Sequence, residues 1–103
     1  MINEIINNDI TDVKKQPLEV VDFAATWCGP CKMLAPVFSE LSEEMAETVK
    51  FYHADVDENT ALSEEYGILS VPSIFVFKNG EPNARLSGFM PKDALKAWIE
   101  RNS

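Results

Sequence analysis

Apolar residues along this chain fall into short, nearly unbroken runs and longer stretches with a helical period, and their alternation predicts the architecture. Leu18-Glu19-Val20-Val21-Asp22-Phe23-Ala24-Ala25 is rich in β-formers and almost continuously apolar, as a strand covered on both faces requires. It predicts a central strand. Further on, Leu34, Val37, Phe38, Leu41 and Met45 recur at helical spacing, with Ser39, Glu40, Ser42, Glu43 and Glu44 on the wet face. Pro36 falls inside that helix, where the missing N–H and the ring's clash with the preceding turn predict a kink.

Val49 to Val56 predicts the next strand, and Thr60 to Tyr66 a short helix with Asn59 as N-cap and Gly67 as its stop. Ser73 to Phe77 predicts a further strand. Lys78-Asn79-Gly80-Glu81 carries the Asn-Gly hairpin signal, so that Ala84 to Ser87 returns antiparallel. The last helix has Pro91 in its first turn and a buried stripe of Leu95, Trp98 and Ile99. Ile2 to Ile6 and Asp9 to Lys14 predict an edge strand and a short helix. The whole is an α/β chain, a mixed sheet with helices on both faces, parallel early and antiparallel late.

With 103 residues, 46% of them hydrophobic, and no repeat or linker, the expectation is one domain over residues 1–103 with a single core. The formal charge of −8, from nine Lys and Arg against seventeen Asp and Glu, opposes binding to nucleic acid or anionic membranes. Proteins or small thiols are the expected partners. The N-terminus has no basic segment followed by an apolar run, and no stretch nears the ~18 apolar residues of a membrane span. A cytoplasmic location follows as the expectation.

Only two cysteines occur, in Trp27-Cys28-Gly29-Pro30-Cys31, where the predicted central strand hands over to a helix. A bridge enclosing two residues restricts the unfolded chain very little, so these sulfurs are expected to do chemistry rather than hold the fold. In a reducing compartment a lone C-x-x-C pair is redox-active or metal-binding. With His53 as the single histidine, a tetrahedral zinc would be one ligand short, so no metal is expected. Disulfide exchange needs one thiolate to attack and a second thiol to resolve the mixed disulfide. Cys28, at or near the helix N-cap, meets unpaired N–H groups and the positive end of the helix dipole, which favour its thiolate. Cys31, one turn inward, is expected to be more buried and protonated at rest, as a resolving thiol should be. Pro30 fixes φ in the first turn, and Lys32 adds a modest favourable field.

Strand alternation sets Asp22 on the side of Leu18, Val20 and Ala24. Two readings stand: a strand-end carboxylate reaching solvent, or a buried one with a raised pKa that exchanges a proton with Cys31, directly or through a water. Its place in an apolar strand six residues before Cys28 favours the second. His53 shares a face with Val49, Phe51 and Asp55; a lone strand histidine is usually structural, and the sharper expectation is that it approaches Asp22 and tunes the proton step.

Val21-Asp22-Phe23, Trp27 to Lys32, Ala35-Pro36, Asp55-Val56-Asp57, Tyr66-Gly67-Ile68, Val71-Pro72-Ser73 and Phe77-Lys78-Asn79-Gly80 together resemble the thioredoxin family over almost the whole chain. The resemblance implies the thioredoxin fold, a central mixed five-stranded sheet flanked by four helices, and dithiol/disulfide exchange without a cofactor. By that likeness Cys28 is the nucleophile, Cys31 resolves, Asp22 assists proton transfer, and Gly29-Pro30 is a pair of the reducing type. Pro72 matches the family's cis-proline, and Trp27, Val71, Pro72, Gly88 and Phe89 match positions of the groove where partner chains dock. The implied partners are disulfide-containing proteins and a thioredoxin reductase, NADPH- or ferredoxin-linked, serving a monomer. Two positions depart from the family pattern: Ala24 stands where Trp is usual, and His53 where Lys is common. A disulfide isomerase or oxidase of the same fold, and a binding module with idle thiols, are the competing readings.

Overall fold

The computed structural model describes residues 1–103. Its elements are β1 (Ile2–Ile5), α1 (Thr11–Lys14), β2 (Leu18–Ala24), α2 (Gly29–Glu44), β3 (Lys50–Asp55), α3 (Thr60–Glu65), β4 (Ser73–Lys78), β5 (Glu81–Ser87) and α4 (Lys92–Arg101). The five strands form one sheet in the order β1-β3-β2-β4-β5. β2 runs parallel to β3, and β3 parallel to β1, while β4 and β5 pair antiparallel to their neighbours. The near-continuous apolar run is thus the central strand of the sheet. Six consecutive residues of β2, Glu19 to Ala24, are buried.

Alternation along β2 divides the core between the two faces of the sheet. Val20, Ile74, Val76 and Phe51 pack against Leu34, Phe38 and Leu41 of α2 and Leu95 and Ile99 of α4. On the opposite face Val21, Phe23, Phe75 and Phe77 meet Val13 of α1 and Leu62 of α3. The face that carries α2 also carries Asp22, because Asp22 shares the parity of Val20. α2 continues through Pro36, at which the Lys32 carbonyl has no amide partner four residues on. Between β4 and β5, Asn79 and Gly80 both take left-handed φ (+53° and +84°), the conformation that a two-residue hairpin turn demands.

The α3 entry differs from expectation. Asn59 occupies the N-cap position, yet its side chain makes no cap bond to the helix. Its amide instead donates to the carbonyls of Ile5 and Asp55, at 3.1 and 3.0 Å, and its Oδ1 accepts from the Asn8 N–H at 2.8 Å. The cap comes from Asn8, whose Oδ1 accepts from the Leu62 N–H at 2.9 Å. Asparagine at position 8 also tolerates the left-handed φ of +58° there. A local sequence pattern cannot show this exchange, since the two asparagines meet only after β1 has docked beside β3.

Candidate functional site

Cys28 ends the loop after β2 and serves as N-cap of α2, with extended φ and ψ of −92° and 117°. The Cys31 N–H points back at Cys28 Sγ across 3.2 Å, so the sulfur receives one of the otherwise unpaired amides of the first turn. Any negative charge on that sulfur is held by this donor and by the helix dipole. Gly29 and Pro30 are the first two helical residues, and Pro30 loses nothing by lacking an N–H there. A Cβ built on Gly29 would meet no atom within 4 Å, so steric room does not require glycine at that position.

Cys28 and Cys31 are joined by a disulfide, with their Cα atoms 5.3 Å apart. Both residues are buried, at 5% and 6% exposure, which corrects the expectation that Cys31 would be the more buried of the two. What separates them is their surroundings. Cys28 Sγ lies 3.6 Å from the Val71 carbonyl oxygen, within reach of a thiol donor in the reduced state. Cys31 instead faces inward, lining a cavity of about 330 Å³ together with Asp22, Ala24, Lys32, Phe38 and His53.

Asp22 is 3% exposed, so the solvent-reaching alternative fails and the carboxylate is buried. Its Oδ1 has no hydrogen-bond partner. Burial pushes its pKa up from 3.8 to about 6, opposed by the positive field of His53 and assisted by the negative field of Glu4. His53 is paired in register with Asp22 across β2 and β3. Its Nδ1 is nonetheless tied to Glu4 of β1, with contacts of 2.7 and 3.0 Å to the two carboxylate oxygens. Glu4 was not singled out by sequence reasoning. It becomes a neighbour of His53 only through the β1–β3 register, for which the sequence carries no local signal.

Around the outer edge of the disulfide, the Val71-Pro72 peptide bond is cis, as the family likeness implies. The Gly88 N–H donates to the Pro72 carbonyl at 2.9 Å and fixes the 88–89 loop beside it. Gly88 has φ +94°, a value that favours glycine. Trp27 is 67% exposed, and its indole N–H donates to Asp57 Oδ2 at 2.8 Å. Phe89 is partly exposed, and Leu69, an apolar loop residue that the sequence reading passed over, is 97% exposed. Trp27, Leu69 and Val71 line one shallow depression of about 190 Å³. Lys32 lies on the other side of Cys31, at the mouth of the Asp22 cavity.

The thioredoxin family profile matches residues 4–101. The chain belongs to the thioredoxin family. It is 44% identical to the thioredoxin of Rickettsia felis over 102 residues, covering 92% of this chain and 97% of that relative. With the thioredoxin of Bacillus subtilis it shares 45% identity over 83 residues, covering 81% and 80% of the two chains. The solved structure of a Malassezia sympodialis thioredoxin superposes with a TM-score of 0.87 at 36% identity, covering 98% of this chain and 92% of that one. This chain is a thiol–disulfide oxidoreductase, a reductant of protein disulfides, with its C-x-x-C pair at the N-terminus of α2. No helix in it is long and apolar enough to cross a membrane.

Proposed function

We propose that Cys28 attacks, Cys31 resolves and Asp22 carries the proton. The observation that supports this order is the position of Cys28 Sγ at the N-cap, where it accepts the Cys31 amide while Cys31 lines the same cavity as the buried carboxylate. The Cys28 thiolate attacks one sulfur of a partner disulfide, forming a mixed disulfide and expelling the other sulfur as a thiolate. The Cys31 thiol passes its proton to Asp22, and the new thiolate attacks Cys28 Sγ. The intramolecular disulfide forms, the partner's second sulfur leaves as a thiolate, and two electrons have passed to the partner.

The docking groove comprises Trp27, Gly29, Pro30, Val71, Pro72, Gly88 and Phe89. An extended partner segment lies along the 71–72 backbone, which explains tolerance of many sequences. His53 tunes Asp22 through its charge, and Lys32 adds a positive field on the same side. The protein works as a monomer of one domain over residues 1–103, in the cytoplasm, recharged by a thioredoxin reductase drawing on NADPH or ferredoxin.

Trapping tests the assignment. Cys31→Ser should accumulate a mixed disulfide with an oxidised protein substrate, visible on a non-reducing gel and by mass. Cys28→Ser should accumulate none, and trapping by Cys28→Ser alone would reverse the two roles.

A further inference from the structure

We propose that the cavity over Asp22 is a binding site for a small organic ammonium ion, its charged head on Asp22 and its hydrocarbon body against Ala24, Ala35 and Phe38. Ala24, at the position where the family pattern usually has Trp, is one of the small residues that line the cavity between β2, β3 and α2. Its floor is largely apolar: Ala24, Ala25, Cys31 and Phe38 are all buried. At the mouth stand the exposed Glu4, Thr26, Lys32 and Ala35, so the space is reachable from solvent. About 330 Å³ is roughly twice the engineered cavity of about 150 Å³ that admits benzene, and sits at the small end of ligand pockets.

Charge selects the ligand. Three carboxylates, Glu4, Asp22 and Asp55, face the cavity with two basic groups, Lys32 and His53. Glu4 is engaged by His53, and Asp55 Oδ1 by the Asp57 N–H at 2.8 Å. Asp22 is the one left with a buried oxygen that has no partner. An anion meets a carboxylate excess there, and a neutral hydrocarbon would leave that oxygen unsatisfied. An alkyl- or arylammonium ion supplies the missing N–H donors and covers the apolar walls in one molecule.

Occupancy also has a consequence for exchange, which rests on the proton role proposed for Asp22. A cation seated on that carboxylate holds the lone pair that the Cys31 proton needs, so the resolving step slows. Binding itself does not depend on that role.

Benzylammonium chloride is the probe, with benzyl alcohol as its neutral isostere. The oxidised protein is titrated with each at pH 8 while the Asp22 carboxyl carbon and the Ala24, Ala35 and Phe38 amides are followed by NMR. Saturable shifts are expected with benzylammonium. Benzyl alcohol should bind roughly tenfold more weakly or worse, since a charge-assisted hydrogen bond is lost. Asp22→Asn should weaken the amine by a similar factor, and Ala24→Trp should abolish saturation by filling the space. If Ala24→Trp does not fold, Ala35→Leu reduces the same volume from the α2 side. The absence of saturable shifts with benzylammonium, equal binding of the alcohol, or retained binding in the filled variants would each overturn the site. Binding with an unchanged rate of disulfide reduction upholds the site and overturns the proton role of Asp22.

Discussion

Asp22 owes its character to a conflict between strand parity and solvation. Alternation sends it to the α2 face, where Val20 and Phe38 leave little water to stabilise a charge, and its pKa rises from 3.8 to about 6. The sign of the stability effect follows from linkage. Between those two values the folded protein binds more protons than the unfolded chain, so stability falls as pH rises through the window and levels off above it. The gap corresponds to roughly 3 kcal/mol as an upper limit. Asp22→Asn should therefore be more stable than the parent at pH 8 by about 1–3 kcal/mol, and little different near pH 4, as urea titrations at both values will measure. The same variant should resolve mixed disulfides more slowly and lose the inflection near pH 6 from the rate profile. Because the His53 field lowers the Asp22 pKa, His53→Gln should move that inflection upward. An unmoved profile would separate His53 from the proton step and leave it as the partner of Glu4.

At the scale of elements, what the sequence made legible is what local pattern controls. The β2 run, the amphipathic α2, the Asn79-Gly80 turn and the stripe of α4 all lie within a residue or two of their expected places, because each is specified by its own periodicity or turn chemistry. The missing parts depend on strand order. β1 inserts beside β3 rather than beside β2, and that choice brings Glu4 to His53 and Asn8 to Asn59 and Leu62. Asn8 is accordingly the joint between β1 and α3. Asn8→Ala should cost about 2 kcal/mol, combining a lost helix cap with the strain of a left-handed φ. The Leu62 amide should lose its hydrogen-exchange protection before the amides of β2 do. If the loss is global and uniform, α3 is not an independently opening unit.

At the scale of the whole molecule, β2 buries a second carboxylate on the sheet face opposite Asp22. Glu19 is fully buried, and neither of its oxygens has a hydrogen-bond partner. Burial is the main cause that pushes its pKa from 4.5 to about 7, opposed by the nearby Gln16 backbone N–H, with Asp12 adding to the rise and Lys50 opposing it. The central strand thus holds two acids that favour protonation, in a chain whose formal charge is already −8. Both act with the same sign: folded pKa values above unfolded ones make their joint contribution to stability greatest below pH 3.8 and lower it progressively up to about pH 7. Self-repulsion among the acidic surface groups points the same way over the lower part of that window. The melting temperature should accordingly be higher at pH 5 than at pH 8. Glu19 has no contact with the cysteines, so Glu19→Gln separates the fold's share of this dependence from the active site's. It should raise stability at pH 8 by about 1–2 kcal/mol, flatten the pH dependence above pH 5, and leave the pH profile of disulfide exchange with its Asp22 inflection intact. A variant that flattened the exchange profile instead would mean that the two faces of β2 titrate as one system.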